Sequence, residues 1–264
     1  MRKVGYIIPL SLLTGVALTL FTGFKPGNSD CIKEVQGLYK TMLAQRPATD
    51  GKQVYYVNYT VRTVSRDSLN DGIGESTIEM WMAGKRMHLK SAEMEIYQDE
   101  KEVFTVLPHN KMLVRSDRLA HADNTRGEQV ALFQDTLFAL STVSQCQTIG
   151  RHKRIVLDVD AAGQQLYQIK QMRFDIDIER EMIRKVRVCY TNSYRSSIPS
   201  MNNTAYVEYI VHDLSYDYKG RIKLRAVAGM FLDGNGRPKT AYADYELVDS
   251  RFEANKTTFE PYVK

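Results

Sequence analysis

The chain has 264 residues, 43% hydrophobic and 25% charged, a composition that excludes a disordered polymer and suits one or two globular domains. Its formal charge of +5 falls close to balance, 33 basic residues against 30 acidic, once residues 1–31 are set aside. The remaining basic residues alternate with acids instead of forming a stripe, so no nucleic-acid partner is expected.

Arg2 and Lys3 precede a nearly uncharged run from Tyr6 to Phe24, which is export chemistry. At 19 residues the run nearly spans a bilayer, so a cleaved signal and an uncleaved N-terminal anchor touching the membrane both stay open. Pro9 and Gly15 favour the signal, and Gly27-Asn28-Ser29 offers a small-x-small cleavage site. Cys31 invites a lipidation reading, although Ser29-Asp30 before it makes a poor lipobox. The expected organisation is a leader or anchor over 1–31 and one domain over 32–264.

Ile32, Val35, Leu38, Tyr39, Met42 and Leu43 recur at helical spacing, with Asp30 placed to cap the helix and Pro47 to end it. From Gln53 to Ser116 the period changes to two. Tyr55, Val57, Tyr59 and Val61, then Ile78, Met80 and Met82, then Met87 and Leu89, then Met94 and Ile96 share one face. Arg62, Glu75, Glu79, Arg86, His88, Lys90 and Glu95 fall on the other. Val103 to Leu107 and Met112 to Val114 form a hairpin about Pro108–Lys111, giving six strands in all.

A polar loop over 117–126 leads to a second expected helix from Gly127 to Cys146, marked by Val130, Phe133, Leu137, Phe138 and Leu140. About six strands follow. Ile155, Leu157 and Val159, then Met172, Phe174, Ile176 and Ile178, then Val186, Val188 and Tyr190 face one way, with Arg173, Asp175 and Asp177 opposite. Tyr206–Tyr218, Ile222–Leu232 and Thr240–Val248 read as further strands, with Asp233-Gly234-Asn235-Gly236 as a hairpin turn. Short connections favour antiparallel neighbours. The expected fold is mainly β (α+β): a single curled antiparallel sheet forming a half-open barrel covered by two or more helices.

Catalytic chemistry is not legible. His88, His109, His121, His152 and His212 are scattered, and no nucleophile elbow, phosphate loop or dinucleotide fingerprint occurs. No enzyme, metal or cofactor is expected. Asp175, Asp177, Glu179 and Glu181 imitate a carboxylate pair but read as a solvated strand, and Asp233–Gly236 lacks the distal Glu of a calcium loop. Of the three cysteines, Cys146 and Cys189 pair in one reading and stay free thiols in another. The methionine and aromatic face is the strongest signal, because Met adapts well to variable apolar ligands.

Asp99-Glu100-Lys101-Glu102-Val103-Phe104-Thr105-Val106-Leu107-Pro108 and the terminal Tyr245–Phe252 run, with Asn255, Phe259 and Pro261, resemble the LolA/LolB-like lipoprotein-localisation superfamily. Glu100 and Val106 replace the Gly and Tyr of its pattern. The resemblance implies a periplasmic or envelope carrier that holds lipid or lipoprotein acyl chains in an apolar half-barrel, with helices as a lid. The expected wall is Tyr59, Ile78, Met80, Met82, Met87, Leu89, Phe104 and Phe174, with Phe133 and Leu137 from the lid helix. The alternative is a structural or sensing module that uses the same fold to bind an envelope protein partner.

Overall fold

The computed structural model describes residues 28–44, 53–66, 73–118, 134–194, 203–220 and 226–252. Helix α1 (Asn28–Ala44) comes first. Six strands follow: β1 (Tyr55–Ser65), β2 (Ile73–Ala83), β3 (Arg86–Lys90), β4 (Glu95–Gln98), β5 (Glu102–Leu107) and β6 (Met112–Asp117). A helical stretch over 134–139 leads into β7 (Ser141–Ile149) and β8 (His152–Val159). Helix α2 (Ala161–Tyr167) precedes β9 (Ile169–Asp177), β10 (Met182–Tyr190) and β11 (Thr204–Ser215). Helix α3 (Ala228–Phe231) and β12 (Glu246–Asp249) end the described chain, with short 3-10 turns at Thr240–Tyr242 and Ser250–Phe252.

All twelve strands form one sheet in the order β12-β6-β5-β4-β3-β2-β1-β11-β10-β9-β8-β7. It is open, with β12 and β7 as its two edges. Every pairing is antiparallel except β12 with β6, which is parallel. The expected turns occur where the sequence placed them: Lys111 N–H donates to the Pro108 carbonyl at 3.2 Å, and Gly236 N–H to that of Asp233 at 3.1 Å.

Three expectations are corrected. The second helix is helical only over 134–139 among its described residues, and from Ser141 the chain is strand. Ser141 Oγ donates to the Leu137 carbonyl at 2.6 Å and closes the helix, after which Thr142 and Val143 favour extended backbone. The expected strand Ile222–Leu232 contains α3 instead, and Thr240–Val248 is a 3-10 turn followed by the short β12. Val227, Phe231 and Leu232 there pack against Phe104, Val106 and Leu113, and that burial overrides strand propensity. Finally, the disulfide joins Cys31 to Cys146, with Cα atoms 6.5 Å apart, while Cys189 is free. A sulfur in a disulfide cannot carry a thioether lipid, so lipidation of Cys31 does not fit this structure.

Directly opposed cross-strand residues share a face, so register carries each face across the sheet. On the first face Tyr55, Val57 and Tyr59 oppose Met82, Met80 and Ile78. Met80 and Met82 oppose Leu89 and Met87, and Leu89 opposes Ile96. In the other direction Val61 opposes Tyr209, Tyr209 opposes Val186, Val186 opposes Phe174, and Phe174 opposes Ile155. The second face carries the alternate residues.

The two halves of the sheet bury opposite faces. Over β7–β10 the first face is covered by α1: Cys31 and Val35 pack with Leu137, Phe138, Leu157 and Phe174. Tyr39 lies edge-on to Phe174 at 6.2 Å, and Lys153 pairs with Glu34 at the rim. Over β4–β6 it is the second face that is covered, by the C-terminal segment: Phe104, Val106 and Leu113 pack with Val227, Phe231 and Leu232. Buried Asp99 ties that segment down, accepting from the N–H groups of Lys101 at 2.8 Å, Glu102 at 3.1 Å and Val227 at 2.8 Å.

Candidate functional site

The exchange of covered faces leaves the first face of β1–β4 as an apolar surface. Tyr59, Ile78, Met80, Met82, Met87 and Leu89 lie side by side on it, each half-buried. None of them belongs to either packed hydrophobic cluster among the described residues. Strand alternation makes the surface. It sends Glu79, Trp81 and His88 to the second face and every methionine of β2 and β3 to the first.

The remaining wall candidates go elsewhere. Phe174 shares the first face, but it and Leu137 are buried to 1% and 4% exposure under α1. They belong to the packed core under α1. Phe104 is on the second face, opposite Tyr97 and stacked on Phe231 with ring centroids 5.1 Å apart. Its place in a shared wall with the methionines is therefore corrected, because Tyr97 and Phe104 keep to the parity of His88 and Trp81. Phe133 lies outside the described residues.

The second face carries an aromatic row that sequence reading missed. Tyr56, Trp81, His88 and Tyr97 follow one another across four strands at centroid distances of 5.3, 5.1 and 4.1 Å. Burial pushes the His88 imidazole below its ordinary value, against the opposing pull of Glu95 Oε2 at 3.3 Å. Burial and the bond to the same carboxylate push the Tyr97 hydroxyl up. The available signal was one residue per strand, each an aromatic or imidazole ring in register.

The acidic run of β9 is not a paired-carboxylate site. Asp175 accepts from Arg154 Nε at 2.8 Å and Arg173 Nη2 at 2.9 Å. Burial opposes its ionisation, yet those two guanidinium groups hold it below the usual carboxylate range. Asp177 is buried and accepts from the Arg180 N–H at 3.2 Å, while Glu179 pairs with Arg151. Asp175, Asp177 and Glu179 each have a separate structural partner. Among the described residues no cluster of His, Cys, Asp and Glu is suited to a metal, and no helix is long and apolar enough to cross a membrane.

No family model matches the chain, and no curated protein does so either. Several solved structures align with the chain at low identity and with TM-scores below 0.5. An uncharacterized conserved protein of Thermus thermophilus is 8% identical, with a TM-score of 0.36 over 80% of this chain and 98% of the other. A LolA superfamily protein of Nitrosomonas europaea is 14% identical, with a TM-score of 0.27 over 76% and 97%. The MucA/MucB complex of Pseudomonas aeruginosa is 9% identical, with a TM-score of 0.29 over 68% of this chain and 56% of the other.

Proposed function

We propose that this is a non-catalytic envelope protein that holds acyl chains of a lipid or lipoprotein against the first face of β1–β4. The observation that carries the reading is the contiguous, half-buried surface of Tyr59, Ile78, Met80, Met82, Met87 and Leu89 outside both packed clusters. Each methylene taken from water gains about 0.8 kcal/mol before ordering costs, so an acyl chain needs no directional contact here. Flexible methionines suit a ligand of variable length. Residues ahead of α1 serve export as a leader or anchor, and Cys31, tied to Cys146, belongs with residues 32–264 in the binding domain. The Cys31–Cys146 disulfide agrees with an oxidising compartment such as the periplasm.

Native mass spectrometry of the purified protein, with organic extraction, tests this reading. Retained lipid is expected, and it is lost when Met80 and Met82 are both replaced by Asp but kept in Glu79→Ala, whose side chain lies on the second face. Lipid-free protein, or equal loss from both changes in folded protein, refutes it.

A second reading, an interaction module for an envelope protein partner, is favoured by the edge strand β7. Its sequence STVSQCQTI has no charge and is mostly exposed, whereas free edges are usually blunted by charge or proline. Such an edge accepts a partner's extended segment through main-chain hydrogen bonds.

A further inference from the structure

The second face of β8–β11, opposite α1, is uncovered by any described helix and carries a groove of about 390 Å³. A cross-strand row runs through it: Arg154 opposes Asp175, Asp175 opposes Lys185, and Lys185 opposes Ile210. Arg184 enters at the register shift between Ile183 and Lys185, where the extra residue re-aims its side chain into the groove. Ile149, 56% exposed, stands with Ile210 as an apolar wall beside these cations.

The groove has more positive charge than its carboxylates neutralise. Glu208, 2% exposed, is shared by Lys185 at 3.1 Å, Arg187 at 2.6 Å and Arg62 at 3.9 Å. Asp175 is likewise shared by Arg154 and Arg173. Arg184 donates to the His212 carbonyl at 3.2 Å, and no carboxylate faces it among the described ion pairs. A neutral acceptor leaves its charge available. Guanidinium groups favour an oxyanion with several acceptor atoms, and the isoleucines beside them favour something greasy attached to it. The volume suits a small ligand rather than a folded partner.

From this geometry we infer that the groove is a second binding site, taking a phosphate ester carried on an apolar chain. The phosphate sits at Arg184 and Lys185, and the chain lies over Ile149 and Ile210. The site does not depend on the acyl-binding reading above, because the methionines lie on the other face of the sheet.

Calorimetry with the protein purified in its natural processed form, using dihexanoyl phosphatidic acid, dihexanoyl phosphatidylcholine and inorganic phosphate below any micelle concentration, tests the inference. Phosphatidic acid is expected to bind about tenfold or more tightly than either of the others, the loss expected for a missing charge-assisted contact or a missing apolar one. Arg184→Gln should weaken phosphatidic acid about tenfold, and Arg184→Lys should restore part of it. Ile149→Ser should weaken the lipid and leave inorganic phosphate unchanged. Equal binding of phosphatidylcholine, or full affinity in Arg184→Gln, overturns the inference. Inorganic phosphate binding as tightly as the lipid also overturns it, by identifying a soluble anion as the occupant. The Met80→Asp variant separates the two sites: phosphatidic acid should bind it normally, and its loss there would move the ligand to the methionine face and overturn the groove assignment.

Discussion

Replacing Cys31 and Cys146 together with Ala should cost the domain about 4 kcal/mol. The bond links residues 115 apart in sequence, and the chain-entropy relation gives about 4.8 kcal/mol for closing a loop of that length, a ceiling that native strain and residual unfolded-state structure usually lower. Local geometry adds to the loop term. Cys31 is 1% exposed beside Val35, which is fully buried, so the bond holds α1 onto β7 at the point where the helix meets the core. Urea unfolding followed by circular dichroism measures the loss, and Cys189→Ala is the control because that thiol is free. The double variant should also show a larger denaturant slope, since its unfolded chain is no longer cross-linked and exposes more surface. Hydrogen exchange should place the weakening first in α1. A loss under about 1 kcal/mol, or an equal loss in Cys189→Ala, would refute the reasoning, because the constraint would then not be anchoring the helix.

Phe104→Ala should destabilise by about 3–5 kcal/mol, as a fully buried ring on the second face, while leaving lipid retention intact in the folded fraction; loss of retention at equal folding would restore Phe104 to the ligand wall. Glu208 should govern part of the acid limb. Burial opposes its ionisation, but hydrogen bonds from Arg187 and Lys185 hold its carboxyl below the usual range, so its contribution is present above the unfolded value of about 4.3 and lost as pH falls through the lower folded value. A pH series of urea midpoints should therefore flatten below pH 4.3 in Glu208→Gln, and an unchanged slope contradicts the network. His88 acts in a higher window. Burial lowers its folded pKa, so the unfolded chain binds the extra proton and stability should fall as pH drops below about 6.5, a decline that His88→Phe should remove.

Much of this fold is legible in the sequence because strand alternation is a local signal. Arg62, Glu75, Glu79 and Lys90 do share the face opposite Val57, Met80 and Leu89, as their spacing alone requires. Parity between strands is another matter. Phe104 and Val106 look like continuations of the methionine face, yet the turns at Ser91–Met94 and Asp99–Glu102 fix a register that sends them to the other side. No local pattern announces that shift. It is the C-terminal segment, 226–252, that makes it favourable, by supplying Phe231, Tyr242 and Leu247 to a core that the strands cannot complete themselves. Because α1 covers one face over β7–β10 and this segment covers the other over β4–β6, among the described residues each half of the sheet presents its remaining face to a different chemistry. One of these faces is apolar and rich in methionine, the other cationic and rich in arginine. A ligand with an acyl chain and a charged ester would have to choose between them, and the face-specific variants measure that choice.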